Sequence, residues 1–262
     1  MHRALNQVAH RPWPIPSGPW IMAQSWHDLL FAHWRIDAAE LRAKFRPLIP
    51  AGLDIDTFQG DAWIGVVPFR MSGVRLRATP ALPMLSAFPE LNVRTYVTHG
   101  GKSGVWFFSL DAANAIAVSV ARAWFHLPYF NARMRCDIRS DWVEYSSERT
   151  HRNAATAKLH TRYRPTGGIF HPQPGTLEHF LTERYCLYAA DGKGQIVRGD
   201  IQHAPWSLQT AQAEFRENSM IEAALDKRAT TPPLQGSPQH PDTPLLHFSR
   251  RQDVIVWHPQ PI

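Results

Sequence analysis

Cysteine, lysine and long apolar runs are all scarce in this chain of 262 residues. The two cysteines, Cys136 and Cys186, are too few for a disulfide framework and form no CxxC metal-binding motif. No apolar run is long enough to span a bilayer, and the stretch up to Pro19 lacks the apolar core of a signal peptide. We therefore expect a soluble, cytoplasmic protein without membrane contact.

Motifs for cofactors and metals are missing as well. The sequence contains no HExxH, no P-loop, no GxGxxG and no GxSxG. His27 and His33 are six residues apart and would share one face of a strand, yet no third ligand accompanies them. We expect neither a cofactor nor a metal.

Positive charge is present, but it is not concentrated. The net charge of +6 comes mainly from arginine, and the densest groups, such as Arg133, Arg135 and Arg139, alternate with other residues. Arginine suits bidentate pairing with a carboxylate, whereas nucleic-acid binding needs a contiguous basic face. We therefore expect a small-molecule ligand, with nucleic-acid binding as the less favoured alternative. Self-association is left open.

Turn signals divide the chain into about ten strands and three or four short helices, without repeats or regular strand–helix alternation. This pattern indicates an α+β fold with a large, curved antiparallel sheet or β-barrel, which often holds a small ligand inside. The proline-rich residues 1–19 are predicted to form a loose arm, and residues 20–262 a single domain. Asp37, with Glu40 three residues later, is predicted to cap a helix ending at Phe45.

The segment 90–97 alternates with the period of two that is typical of a strand. Glu90, Asn92, Arg94 and Tyr96 share one face, so one side of this strand is wholly polar. An ordinary solvent-facing side explains the same pattern. The alternative is a buried strand, in which the acid and the arginine need partners, either each other or a ligand.

Three neighbours of this strand favour the buried position. A proline-rich loop is predicted at residues 72–88, and an aromatic run occupies residues 106–108. A helix is predicted at residues 112–125, capped by Asp111 and so apolar all round that it should be buried. Further along, Glu183 and Arg184 are predicted to form a structural ion pair.

The order of these features resembles the core of the acetoacetate decarboxylase family. That order is a strand with a glutamate, a glycine-rich turn, an aromatic strand, Leu110-Asp111, an Ala-Ile-Ala-Val helix, Arg122 and Pro128. The whole chain resembles more closely an uncharacterised relative, the YqjF-like (DUF2071) family, through stretches such as 88–97 and 181–188. The resemblance implies an acetoacetate-decarboxylase-like β-barrel.

One departure from the decarboxylases bears on the chemistry. In that family a lysine pair follows the proline, and its first lysine forms a Schiff base. Tyr129 and Phe130 stand at these positions here, and they supply neither an amine nor a neighbouring cation. No lysine of this chain has an apolar setting that would lower its pKa; the five are Lys44, Lys102, Lys158, Lys193 and Lys227. The comparison implies a protein that is not an acetoacetate decarboxylase.

The resemblance also assigns roles to site residues. Glu90 matches the strand glutamate, Arg122 the arginine at the helix end, and His27 the position of an active-site arginine. We expect a site in which three residues are catalytic and four bind the ligand. The catalytic set is Glu90, Tyr129 and His27, and the binding set is Asn92, Arg94, Arg122 and Tyr96. Arg122 has an alternative role, because an arginine at a helix end can bond the last carbonyls.

Two functions stay open at this point. One is proton transfer on a small carbonyl or carboxylate compound inside the barrel, as in a cofactor-independent lyase, isomerase or hydratase. The other is a non-catalytic sensor or binding module that has kept the fold and lost the chemistry. The resemblance is an association at the level of the fold, and it does not separate the two.

Overall fold

The structure is a computed structural model that describes residues 2–45, 48–82, 86–225 and 243–262. Strands make up most of the described chain. They are β1 (Met22–Asp37), β2 (Asp54–Ile55), β3 (Asp61–Leu76), β4 (Phe88–His99), β5 (Lys102–Ala112), β6 (Tyr129–Arg139), β7 (Trp142–Arg149), β8 (Lys158–Phe170), β9 (Cys186–Ala190), β10 (Ile196–Gln202), β11 (Leu208–Asn218), β12 (Leu245–Val256) and β13 (Gln260–Pro261). The α-helices within these ranges are α1 (Ala38–Phe45), α2 (Ala115–Phe125), α3 (Leu177–Thr182) and α4 (Met220–Leu225), and a 3-10 helix spans Arg3–Leu5.

All of these strands belong to one sheet, part of which closes on itself. The strands β5-β6-β7-β8-β11-β12-β1-β3-β4 are hydrogen-bonded neighbours in that order, and β4 pairs back to β5 to complete a ring. The β5–β6 and β5–β9 pairings are parallel, so the sheet is mixed rather than antiparallel throughout. The helix α2 supplies the crossover that parallel β5 and β6 require. The predicted fold class, a large sheet with a few short helices, is confirmed.

The short helices follow local signals. Asp37 Oδ1 accepts the backbone N–H groups of Ala39 and Glu40 at 2.8 and 2.9 Å, so α1 begins at the predicted cap. No helix in the described ranges has both the length and the apolar character needed to cross a membrane. The cytoplasmic location stays a prediction.

Both faces of β4 are buried, so the solvent-facing interpretation of its polar face is wrong. Leu91 and Val93 belong to a hydrophobic cluster on one face. On the other face, Glu90 is 3% exposed and Asn92 is 5% exposed. The polar face of β4 therefore lies inside the protein.

The expectations for α2 were partly wrong. Asp111 lies within β5 and does not cap α2, which begins at Ala115, where Asn114 Oδ1 accepts the N–H of Ile116 at 3.1 Å. The helix is not buried all round, because Ile116 and Trp124 are 59% and 52% exposed. A helix that crosses one face of a sheet buries only the side that touches the sheet, whatever its composition.

Part of the predicted loop at residues 72–88 is strand. Residues 72–76 continue β3 and pair with β1. Residues 83–85 of this predicted loop lie outside the described residues. The strand assignment brings Val74 into the wall of the cavity described below.

The arm at the N-terminus is not loose, because it packs against β10. Arg11 is 8% exposed, and its Nη1 donates to Gln202 Oε1 at 2.9 Å. Gln202 Nε2 donates in turn to the carbonyl of Gln7 at 2.7 Å, and Trp13 Nε1 donates to Asp200 Oδ1 at 3.2 Å. The division into an arm (1–19) and one domain (20–262) stays a prediction.

Candidate functional site

A cavity of about 180 Å³ lies between β1, β3, β4, β5 and β10. Most of its lining is apolar or aromatic, with a smaller set of polar residues. The polar side chains of the lining include Gln24, Glu90, Asn92, Arg94, Tyr129, Thr182, Arg184 and His203. An engineered apolar cavity of about 150 Å³ accepts benzene, so this cavity has room for a compact ligand. An apolar pocket with a few convergent polar groups is the usual form of a small-molecule site.

The centre of the polar set is the pair of Glu90 and Tyr129. The Tyr129 hydroxyl donates a hydrogen bond to Glu90 Oε2 at 2.8 Å. Burial raises the pKa of Glu90 from 4.5 to about 8; the charge of Asp111 adds to this rise, whereas the Tyr129 hydrogen bond opposes it. Burial also raises the pKa of Tyr129, as does the neighbouring Glu90. At pH 7 both groups carry their protons, and Glu90 can act as an acid.

Neighbouring groups hold this pair in position. The Tyr145 hydroxyl donates to the carbonyl of Glu90 at 2.7 Å and lies 3.0 Å from the carbonyl of Phe69. Arg122 Nη1 donates to the carbonyl of Tyr129 at 2.6 Å. Arg122 does not line the cavity, and it contacts β6 instead of a carbonyl of its own helix. Its position fits a residue that orients Tyr129 rather than one that touches a ligand.

A buried ion pair lies next to Glu90. Arg149 Nε and Nη2 donate to the two carboxylate oxygens of Asp111 at 2.8 and 3.1 Å. Both side chains are almost fully buried, with 1% and 0% exposed. The carboxylate of Asp111 contributes to the raised pKa of Glu90. Asp111 therefore helps to set the protonation state of the candidate acid.

Asn92 and Arg94 extend the polar face of β4 along the cavity. Asn92 Oδ1 and Arg94 Nε are buried and have no hydrogen-bond partner in the described part of the chain. Arg184, which also lines the cavity, donates through Nη1 to Asp56 Oδ2 at 2.5 Å. Arg94 has no carboxylate partner among the described residues, and Glu90 bonds to Tyr129 rather than to Arg94. The Arg94 guanidinium therefore has no ion pair in the described chain, although it contributes a hydrogen bond to Tyr96.

Tyr96 lies on the same strand but does not line the cavity. It is fully buried, its hydroxyl donates to the carbonyl of Leu181 at 2.8 Å, and it lies 2.6 Å from His33 Nε2. The ring also packs against the Arg184 guanidinium at 4.8 Å. Tyr96 therefore packs behind the lining of the cavity and supports it.

A bulge in β1 decides which of its residues face the cavity. Trp26 lines the cavity before the bulge, and Leu29 and Phe31 line it afterwards, so the inward positions change from even to odd. Asp28 has a positive φ of 51°, and the register against β3 shifts after His27. One extra residue in a strand reverses the side on which every later side chain lies.

The structure therefore does not bring His27 to the cavity. Its Nε2 lies 2.7 Å from Ser72 Oγ, and burial, followed by the charge of Arg70, lowers its pKa. The bulge also means that His27 and His33 do not share a face. We leave His27 out of the proposed site.

The chain matches one known protein family over most of its length. The sequence profile of the DUF2071 family, described as an uncharacterized conserved protein, matches residues 23–253. The chain belongs to the DUF2071 family. The uncharacterized protein YqjF of Bacillus subtilis (strain 168) is 43% identical over 243 residues, which cover 93% of each chain.

Solved structures resemble this DUF2071 chain at low sequence identity. An acetoacetate decarboxylase-like enzyme from Sphingomonas wittichii RW1 has a TM-score of 0.58, 16% identity and 94% coverage of both chains. Acetoacetate decarboxylase from Legionella pneumophila has a TM-score of 0.57 and 11% identity, over 100% of this chain and 96% of that chain. The enduracididine biosynthesis enzyme MppR, complexed with pyruvate, has a TM-score of 0.57 and 10% identity, over 93% and 91%. These likenesses show the acetoacetate-decarboxylase-like fold alone.

Tyr129 and Phe130, which the sequence resemblance places at the lysine-pair positions, have different surroundings in this DUF2071 structure. Tyr129 lines the cavity, whereas Phe130 does not, and its ring packs against the Arg149 guanidinium at 4.1 Å. The lining contains no lysine, as far as the chain is described. The side chains of Lys44 and Lys227 lie outside the described residues.

Sequence reasoning missed a second part of the DUF2071 cavity wall. Trp26 and Trp206 line it together, although Trp206 lies in the connection between β10 and β11. The predicted Glu183–Arg184 ion pair is wrong, because the Glu183 carboxylate accepts the Trp206 backbone N–H at 2.8 Å and the Tyr185 hydroxyl. The charged and aromatic run at residues 183–185 was the sequence feature that marked this part of the wall. Its partner, Trp206, is distant in sequence and could not be found from that run.

Tyr129→Phe tests the hydrogen bond at the centre of the site. We expect this change to raise the pKa of Glu90 further, because the Tyr129 hydroxyl favours the charged carboxylate. We also expect a loss of about 1–3 kcal/mol of stability, since Glu90 loses a buried partner. NMR titration of the Glu90 carboxyl carbon and urea unfolding measure the two effects. A lower Glu90 pKa in the variant would contradict the assignment.

Proposed function

We propose that this DUF2071 protein binds a small carbonyl- or carboxylate-bearing compound in the cavity and that Glu90 exchanges a proton with it, without a Schiff-base lysine. The observation that carries the proposal is the buried Glu90, whose pKa is raised to about 8 and whose Oε2 accepts the Tyr129 hydroxyl. A pKa near the working pH suits a group that must both give and take a proton. Strongly perturbed acids in clefts are typical of functional sites.

The charges in the cavity support an anionic ligand. Glu90 is neutral at pH 7, and Arg184 is matched by Asp56. Arg94 is then the cationic group of the lining that lacks a carboxylate partner in the described residues. A guanidinium in such an apolar setting is well suited to hold a carboxylate.

The proton chemistry needs only groups that this chain provides. In its ionised form, Glu90 takes the proton from a carbon next to a carbonyl group, which leaves an enolate in the cavity. The positive charge of Arg94 stabilises that anion. Neutral Glu90 then returns a proton to the same carbon or to another position, and the acid ends unchanged. Return to another position is an isomerisation.

Hydrogen–deuterium exchange tests this proposal directly. Pyruvate is a reasonable first probe, because a structural neighbour was solved with it, and 4-oxopentanoate is a second oxo acid of similar size. In D₂O we expect the protein to accelerate loss of the α-proton signals by about 10²-fold or more over buffer. We expect Glu90→Gln to return the rate to that of buffer, and Arg94→Gln to raise the half-saturating concentration.

His27→Asn is the matched control, because His27 is titratable but lies outside the cavity lining. It should exchange as fast as the unaltered protein. A Glu90→Gln variant that exchanges at the full rate would end the proposal. Saturable binding of the oxo acids without exchange would instead favour the non-catalytic sensor or binding module, for which the lysine-free lining already argues.

A further inference from the structure

Two tryptophans form one end of the cavity. Trp26 and Trp206 stack with their ring centroids 6.1 Å apart and their planes 20° apart, and we call them the indole pair. Trp206 meets Phe31 edge-on at 5.0 Å, and Trp26 meets Phe69 at 5.8 Å. All four rings line the cavity, so this end is an aromatic wall.

The indole N–H groups of this pair have no acceptor in the part of the chain that the structure describes. Trp26 Nε1 and Trp206 Nε1 are both buried, and the described residues offer neither of them a hydrogen bond. A buried tryptophan N–H normally finds a partner, and leaving it unmatched is costly. By contrast, the buried Trp257 donates its N–H to the carbonyl of Gly18 at 2.8 Å. Trp63 Nε1 is also buried without a partner in the described chain, but Trp63 does not line the cavity. Two unmatched donors on stacked rings that both line one cavity point to an acceptor that a ligand brings.

The chain holds one member of the pair firmly. The Glu183 carboxylate, 9% exposed, accepts the backbone N–H of Trp206 at 2.8 Å. The same carboxylate accepts the Tyr185 hydroxyl, and the Tyr185 ring stacks on His203 at 4.7 Å. A buried acid is thus committed to fixing the position of one indole ring. Such second-layer support is typical of groups that must meet a ligand with defined geometry.

One aromatic ring, Phe31, contacts both the indole pair and Arg94. The Phe31 ring centroid lies 5.0 Å from that of Trp206 and 5.3 Å from the Arg94 guanidinium carbon. At the Arg94 end, Arg94 Nε is an unmatched donor and Asn92 Oδ1 an unmatched acceptor within the described chain. The unmatched groups therefore form two sets, and Phe31 contacts a member of each.

We propose that the ligand is a planar, conjugated carboxylic acid with a second oxygen at its opposite end, such as a hydroxy-substituted aromatic acid. Its carboxylate binds Arg94, its body lies against the aromatic wall, and its distal oxygen accepts hydrogen bonds from the indole pair. This inference rests on the proposed function only in that the cavity binds a carboxylate. It does not require that the bound compound reacts.

A ligand series on the unaltered protein tests the distal oxygen. The probes are 4-hydroxybenzoate and 4-methylbenzoate, which differ in the group that faces the indole pair and hardly in size. We expect 4-hydroxybenzoate to bind at least about tenfold more tightly by calorimetry, because only its oxygen satisfies the buried donors. Equal affinities, or binding of neither acid, would overturn the inference.

Tryptophan variants test which N–H groups cause the preference for the hydroxyl group. We expect Trp206→Phe and Trp26→Phe each to reduce the preference for the hydroxyl group severalfold, because a smaller aromatic ring remains and the N–H is lost. Trp257→Phe is the matched control, since it removes a buried indole N–H that already has a partner, and it should keep the preference. A preference that survives in both cavity variants would place the oxygen elsewhere and contradict the proposal.

The result separates this inference from the proposed function. If the protein prefers the hydroxyl group but does not exchange the protons of oxo acids, the proposed ligand class is supported and the proposed proton transfer by Glu90 is contradicted. Exchange that depends on Glu90, together with equal binding of the two benzoates, supports the chemistry and removes the ligand class. Because the ligand series needs no variant, a tryptophan substitution that fails to fold leaves the test intact.

Discussion

Arg149→Ala is expected to destabilise the fold by about 3–5 kcal/mol, because it removes the guanidinium that pairs with the buried carboxylate of Asp111. Asp111 is 0% exposed in its side chain and receives two hydrogen bonds from the Arg149 guanidinium. Urea unfolding at pH 7 measures the loss. The double variant Asp111→Leu/Arg149→Met should recover much of the stability, since well-packed apolar residues can replace a buried pair.

The surface pair of Arg35 and Asp61 is the matched control. The two side chains are 61% and 36% exposed, and Arg35 Nη1 lies 3.1 Å from Asp61 Oδ2. Arg35→Ala should cost less than about 1 kcal/mol, because water solvates the remaining charge. Similar losses for Arg149→Ala and Arg35→Ala would contradict the burial of the inner pair.

Stability should fall as the pH rises from about 4.5 to about 8, through the titration of Glu90. Its pKa is about 8 in the folded protein against an ordinary value of 4.5, because the buried site disfavours the charged carboxylate. Between these values the unfolded chain has released the proton that the folded chain still holds, so rising pH favours unfolding. The shift corresponds to a loss on the order of 3–5 kcal/mol that is complete above pH 8.

Glu90→Gln isolates this effect from other titrations. Glutamine resembles the neutral acid, can still accept the Tyr129 hydroxyl and does not ionise. We expect the variant to match the unaltered protein at pH 5 and to be several kcal/mol more stable at pH 9, on the scale of the pKa shift. Urea unfolding across this range gives the difference. A difference that does not change with pH would contradict the raised pKa.

Local sequence patterns predicted much of the fold and several residues of the site. The Asp37 cap and the extent of α1 follow from contiguous residues, and so does the period-two face of β4 with Glu90, Asn92 and Arg94. The resemblance to the decarboxylases added the position of Tyr129, which lies against Glu90. Local pattern could not tell whether the polar face of β4 is exposed, because alternation is the same in both cases.

Other residues escaped prediction for identifiable reasons. His27 was placed in the site by the resemblance to the decarboxylases, and the bulge at Asp28 leaves it outside the cavity lining. Asp111 has the local context of a helix cap, whereas its actual partner, Arg149, is 38 residues away. Trp206 lies in a connection with no regular period, so no pattern predicted its place in the cavity wall.

The amino-acid sequence by itself determined the family, the strand-rich class and the polar face of β4. All three can be recognised from the order of residues along the chain, because local periodicity and family resemblance both depend on that order. Only the tertiary structure decided that the pKa of Glu90 is raised, that Arg94 is without a carboxylate partner in the described chain, and that two indole rings line the same cavity. Burial and electrostatic coupling act through space between strands distant in sequence, so they exist only once the ring of strands has closed.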